Sequence, residues 1–144
     1  ITGPTRTAIK PGEILIRILV PQYPESTVSA YRRRSRIAGM DLASMNMAVL
    51  ITDAPGQVSR RFRVAAGAVA ATPIRLDAAE EILNGSPLTG ATIKEAARKA
   101  NEGLNPRASS LRATPEYKKD MIYILLKRIL ADLLGSSPAG PKRR

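Results

Sequence analysis

Two periodicities follow one another along this chain, and their order limits the folds open to it. Residues 45–52 alternate strictly, with Met45, Met47, Val49 and Ile51 on one side of an extended chain and Asn46, Ala48, Leu50 and Thr52 on the other. Asp53-Ala54-Pro55-Gly56 has the residues of a hairpin turn, and residues 61–70 return as a second strand with Phe62, Val64, Ala66 and Ala68 on one face. From residue 77 onward the period becomes helical. Asp77-Ala78-Ala79-Glu80 has the spacing of a capping box, and Asn84-Gly85 that of a stop with glycine in a left-handed conformation. Thr92-Ile93-Lys94-Glu95 repeats the box before Ile93, Ala96, Ala97, Ala100 and Leu104 on one helical face. Thr114-Pro115-Glu116 opens a third helix, whose stripe is Ile122, Leu126, Ile129, Leu130 and Leu133 and whose end is Gly135. Strands first and helices afterwards predict an α+β fold: a small, mainly antiparallel sheet covered on one face by three helices. The small residues Gly67, Ala68, Ala70 and Ala71 predict that a helix approaches the sheet closely.

Two stretches before the hairpin complete the sheet. Residues 14–20 are apolar and β-branched apart from Arg17, follow the Lys10-Pro11-Gly12-Glu13 turn and stop at Pro21, which predicts a buried strand. Its partner edge lies either in this chain or in material upstream of it. Residues 28–37 carry Arg32, Arg33, Arg34 and Arg36. In a strand, Arg32, Arg34 and Arg36 share one face and Tyr31, Arg33 and Ser35 the other. Such a strand is either a solvated edge guarded by its charges or a contact to an anionic ligand.

Composition removes several kinds of chemistry. The 144 residues contain no cysteine and no histidine, so disulfides, thiolate nucleophiles, imidazole catalysis and the usual zinc ligands are excluded. No apolar run reaches the ~18–20 residues of a membrane span. The net charge of +11 admits a nucleic-acid-binding module as an alternative, but at 3% aromatic residues there is no stacking platform between the basic ones. Glu80 and Glu81 point about 100° apart on a helix and fit a cap and a solvated charge better than an acid–base pair. Asp41 either caps a short helix or contacts whatever binds the arginine strand. Met40, Met45 and Met47 fit core filling. Glycine-rich phosphate loops are absent. A chain that opens on Ile1 suggests a fragment or a processed product.

The order of motifs resembles one family. Tyr31-Arg32-Arg33-Arg34-Ser35-Arg36 followed by Asp41-Leu42-Ala43 is similar to its Y-x-K-x-x-R…D-x-A pattern. Residues 67–75, Gly-Ala-Val-Ala-Ala-Thr-Pro-Ile-Arg, are similar to its G-A-V-A-x-T-P-x-R strand and turn. Residues 79–85 resemble its A-E-x-x-L-x-G helix, and residues 112–118 its R-G-S-x-x-Y-R helix entry. That family is the C-terminal domain of the FAD-binding, medium subunit of molybdenum hydroxylases, including carbon monoxide dehydrogenase flavoprotein and the flavin portion of xanthine dehydrogenase. The resemblance covers residues 3–134. Arg33 stands where the family often has Lys, Ser110 replaces an acidic residue, and the spacing from Arg36 to Asp41 is one residue longer than in some members.

The resemblance implies a division of the chain: residues 1–22 as the tail end of a preceding FAD-binding domain, residues 23–135 as the C-terminal domain itself, and residues 136–144 as a disordered basic tail. It implies FAD held mainly by the upstream domain, with molybdopterin and [2Fe-2S] clusters on partner subunits in the cytoplasm. Electrons would pass from molybdenum through the clusters to the flavin and on to an external acceptor. Tyr31, Arg32, Arg33, Arg36, Asp41 and Leu42 match the family's segment near the flavin ring and are the expected cofactor-binding residues. No catalytic or metal-binding residue is expected in this chain, and nucleic acid is not an expected partner.

Overall fold

A computed structural model describes residues 1–37, 41–53, 60–106 and 113–135. Four strands form one antiparallel sheet in the order of the sequence: β1 (Val28–Arg34), β2 (Met45–Asp53), β3 (Arg60–Gly67) and β4 (Ile74–Arg75). Three helices follow: α1 (Asp77–Gly85), α2 (Gly90–Glu102) and α3 (Pro115–Gly135). The predicted α+β architecture is present. The helices cover one face of the sheet, α1 against β3 and α3 across β1 and β2, while α2 packs on the other two helices.

The period-two pattern of β2 decides which face is buried. Met45, Met47, Val49 and Ile51 are buried on the helix side, joined by Phe62, Val64 and Ala66 of β3. Ile122, Leu126, Ile129 and Leu130 of α3 meet them, with Leu83 of α1 and the alanines 96, 97 and 100 of α2. Alanine on α2 lets that helix sit close to its neighbours, so the layer stays thin. Each buried Leu, Ile or Met contributes about 1.5–3 kcal/mol. The alternate residues of β2 and β3 lie on the opposite face, which no helix among the described residues covers.

The outer edge of β3 is completed by side chains where β4 is too short to do it. β4 pairs only with Ala65 and Ala66. Beyond it, Leu76 donates its N–H to the Val64 carbonyl at 2.9 Å. The Val64 N–H donates to Glu80 Oε1 at 2.8 Å. Phe62 then donates to Asn84 Oδ1 at 2.7 Å and accepts from Asn84 Nδ2 at 3.2 Å. Glu80 and Asn84 stand one helical turn apart and act as a fifth strand, meeting backbone groups that burial would otherwise leave unpaired.

Several local expectations give way to these longer-range demands. Asp77 does not cap α1: the N-cap is Leu76 without a side-chain bond, and Glu80 is occupied by Val64 and Arg75 rather than reaching back along its own helix. The cap of α2 is Thr89, whose Oγ1 accepts from the Thr92 N–H at 3.1 Å, three residues before the expected position. Gly85 is the last residue of α1 and has no positive φ. β1 stops at Arg34 rather than residue 37. β3 stops at Gly67, because Ala68 turns into the left-handed region at φ 62° and leaves the core face to Val69. The Pro115 start and Gly135 end of α3 are as expected, with Thr114 Oγ1 accepting from the Tyr117 N–H at 3.2 Å.

The largest departure is at residues 14–20, which form no strand. Ile14, Leu15, Ile16, Ile18, Leu19 and Val20 are each at least 67% exposed. Composition favours a strand there, but no edge within the described residues takes it up. The expected turn at residues 53–56, the positions Gly39 and Met40, Ser110, Arg112 and the basic tail fall wholly or partly outside the described residues. No helix among the described residues is long and apolar enough to cross a membrane.

Candidate functional site

The uncovered face of the sheet is arranged in cross-strand rows. Antiparallel register places Tyr31 beside Ala48, Ala48 beside Ala65 and Ala65 beside Arg75. The next row is Ser29, Leu50 and Arg63, and on the other side lies Arg33, Asn46 and Gly67. Directly opposed residues point to the same side of a sheet. The middle of this face is therefore a floor of methyl groups, with a phenol ring at one end and guanidinium groups at the other. It forms an open hollow of about 430 Å³ lined by Tyr31, Ala48, Leu50, Arg63, Ala65 and Arg75 among others. That volume falls within the ~300–1,000 Å³ usual for small-molecule sites.

The two guanidinium groups of the hollow differ in how far they are neutralised. Arg75 donates from Nε to Glu80 Oε1 at 3.0 Å, contacts the other Glu80 oxygen, and lies 3.7 Å from Asp77. Arg63 has a neutral partner, the Tyr23 hydroxyl at 3.2 Å. Gly67 has a packing reason to be glycine: a Cβ there would stand 2.5 Å from Asn46 Oδ1, inside contact distance.

The loop after β1 is drawn together by Asp41. Its carboxylate accepts from the Leu42 N–H at 2.8 Å and the Arg36 N–H at 3.2 Å, with Arg36 Nε 3.8 Å away. Its carbonyl accepts from Arg33 Nη1 at 3.1 Å. Partial burial works to raise the Asp41 pKa, but the N–H donors of Arg36, Leu42 and Ile37 and the Arg36 charge together hold it below the usual value. Asp41 thus stays a carboxylate and fixes the loop from both sides.

Of the residues expected near a flavin, Tyr31 and Arg33 share the open face, and Arg36, Asp41 and Leu42 adjoin Arg33 in the loop. Arg32 is not with them. It lies opposite Met47 on the helix side, where Nη2 donates to Asp132 Oδ2 of α3 at 2.6 Å and Nε to the same oxygen at 3.2 Å. The opposite placement of Arg32 and Arg33 is what strand alternation predicts. The alanine floor, Arg63 and Arg75 escaped the reading of the sequence. The available signal was the second parity of β2 and β3, where Ala48 and Ala65 interrupt otherwise larger or polar residues. Among the described residues, no group of three carboxylates could hold a metal ion.

The fold and these motifs have close counterparts. The chain matches the CO dehydrogenase flavoprotein C-terminal domain over residues 29–133. It is 35% identical over 130 residues to the 6-hydroxypseudooxynicotine dehydrogenase complex subunit alpha of Paenarthrobacter nicotinovorans, covering 89% of this chain and 43% of that protein. It is 32% identical to the carbon monoxide dehydrogenase medium chain of Afipia carboxidovorans over 85% of this chain and 41% of the relative. The xanthine dehydrogenase FAD-binding subunit of Escherichia coli O157:H7 is 28% identical over 94% of this chain and 46% of its own length. Among solved structures, a carbon monoxide dehydrogenase from Hydrogenophaga pseudoflava superposes with a TM-score of 0.80 at 32% identity, over 92% of this chain and 45% of that one. The chain spans less than half the length of the curated relatives it matches. By sequence and by fold alike, the chain belongs to the CO dehydrogenase flavoprotein C-terminal domain family.

Proposed function

We propose that this chain is the C-terminal part of the FAD-carrying subunit of a cytoplasmic molybdenum-dependent hydroxylase or dehydrogenase, and that its open sheet face lies against the edge of the flavin. In this reading residues 1–22 end the preceding FAD-binding domain, and the molybdopterin and [2Fe-2S] clusters reside on partner subunits. One observation carries it. The uncovered face joins a flat methyl floor, an aromatic wall and cationic groups directly to the Asp41 loop, in a chain whose relatives are named FAD-binding and medium subunits.

The residues fit a planar, electron-accepting ring. Ala48 and Ala65 leave room for a flat group, Tyr31 offers a face or edge for stacking, and Arg63 and Arg33 place positive charge at two sides. Bound FAD supplies the acceptor for electrons arriving from the partner clusters. The chain's own groups do the positioning: Asp41 holds Arg33 and the backbone of Leu42 in place, while Glu80 holds Arg75 at the rim. Cations at the rim favour the ring when it gains negative charge, and the substrate's chemistry is left to the molybdenum subunit.

Part of the basic charge is used within the fold. Arg32, Arg36, Arg75 and Arg98 all face carboxylates of this chain, so they do not add up to a free phosphate-binding stripe. The test uses the complete subunit. Tyr31→Ala and Arg33→Ala are each expected to lower flavin content or move the reduction potential, and Arg33→Lys to retain most of the effect of charge. If neither alanine variant changes flavin content, absorption spectrum or potential, the open face is not the flavin-facing surface.

A further inference from the structure

β1 poses a mechanical problem. It carries Tyr31 and Arg33, yet none of its residues is buried; only Ala30 is even partly so. β2 is anchored by four buried side chains and β3 by three. A strand held by a ladder alone, with three successive arginines, has little to choose between neighbouring registers. Its even-numbered face supplies what is missing. Arg32 reaches Asp132 near the end of α3 with two donors. Arg34 donates from Nε to the Tyr117 hydroxyl near the start of α3 at 3.2 Å.

These two contacts pull in opposite directions. Arg32 and Arg34 are separated by about 7 Å along a strand. Asp132 and Tyr117 are fifteen positions apart on one helix, about 22 Å at 1.5 Å per residue. The arginine side chains must therefore splay apart along the helix axis to reach them. A displacement of β1 along α3 toward either contact would relax one and break the other. The ladder bond from the Ser44 N–H to the Arg34 carbonyl, at 2.7 Å, closes the far end of the same strand beside the Asp41 loop.

The geometry points to Arg32–Asp132 and Arg34–Tyr117 as opposed tethers that fix the position of β1 along α3, making these four residues positioning residues for Tyr31 and Arg33. The role in positioning rests on the flavin reading above, whereas the tethering itself does not. Arg32 thereby acquires a function different from direct cofactor contact, through a partner 100 residues away.

The experiment uses the complete subunit with Arg32→Ala, Asp132→Ala, the double variant, Asp132→Glu, Tyr117→Phe and Arg33→Ala. Amide exchange over residues 28–34 reads the tether, and the flavin spectrum and reduction potential read the positioning. Loss of either partner of the exposed Arg32–Asp132 pair should speed exchange of β1 by roughly two- to fivefold. The double variant should add nothing, Asp132→Glu should restore most of the protection, and Tyr117→Phe should act in the same direction. Both single alanine variants should also move the flavin signals, as Arg33→Ala does. Unchanged exchange in Arg32→Ala and Asp132→Ala overturns the tether. Faster exchange with an unaltered flavin, where Arg33→Ala does alter it, overturns the positioning role alone. If Arg33→Ala also leaves the flavin unaltered, the flavin reading falls and takes the positioning role with it, and exchange still decides the tether.

Discussion

Glu80 serves both as an edge acceptor for β3 and as the counter-ion of Arg75, so its loss should be felt in more than one place. Removing the carboxylate leaves the buried Val64 N–H without its acceptor and Arg75 without its nearer partner. An unsatisfied buried donor costs about 1–3 kcal/mol. Glu80→Ala is expected to lose that much in urea unfolding, and Glu80→Gln less, because an amide oxygen can still accept from Val64. Equal losses would show that charge, not the backbone acceptor, dominates. Asp41 gives a pH dependence of defined sign. Its folded pKa lies below its ordinary 3.8, so it binds its proton more weakly in the folded loop than in the unfolded chain. The loop's stabilisation is therefore complete above about pH 4–5 and is lost as pH falls through the depressed folded value. Protection of the Leu42 amide, relative to its intrinsic exchange rate at each pH, should fall in that acid window, and Asp41→Asn should abolish the dependence. A loss of protection centred near neutral pH would contradict this assignment.

At the level of elements, residues 14–20 separate what a strand's composition promises from what its surroundings allow. β2 and α3 were legible in the sequence because a local period, two for Met45 to Ile51 and 3.6 after Pro115, coincides with the face the core buries. β4 was not, since two residues carry no period. The caps of α1 and α2 were misplaced because Glu80 answers a backbone donor sixteen positions away and because Thr89 precedes the motif that Thr92 imitates. The loop residues of the site were legible as a motif, whereas the alanine floor depends on which strands become neighbours. Residues 14–20 have strand composition but no ladder among the described residues. Ile16→Lys with Ile18→Lys, two residues on one face, should therefore change the urea stability of this chain by less than about 0.5 kcal/mol. In the complete subunit the same pair should cost several times more, since each fully buried Ile is worth about 1.5–3 kcal/mol. An equally small change in both proteins would remove the case for docking onto the preceding domain.

For the molecule as a whole, the core and the open face make different demands. The sheet and its three helices close around one continuous set of buried side chains from Met45 to Leu130, so this chain is expected to fold by itself. The opposite face is left open by the helices of the described residues. In the proposed reading its hollow provides a floor and rim for a ring, while the chain has no glycine-rich loop to hold a pyrophosphate. Contact with the roughly fourteen atoms of a flavin's tricyclic ring, at about 0.3 kcal/mol per atom, is worth about 4 kcal/mol. That corresponds to a Kd near 1 mM. Titrating FAD into this chain should therefore give no saturable change in flavin fluorescence through the low micromolar range, while circular dichroism shows a folded α+β protein. Arg63→Ala should then have no measurable effect on the titration of this chain, yet lower flavin affinity or shift the potential in the complete subunit, where the rest of the cofactor is held. Tight binding by this chain alone would mean that these residues hold more of the cofactor than its ring, and the division of labour between the two halves would have to be redrawn.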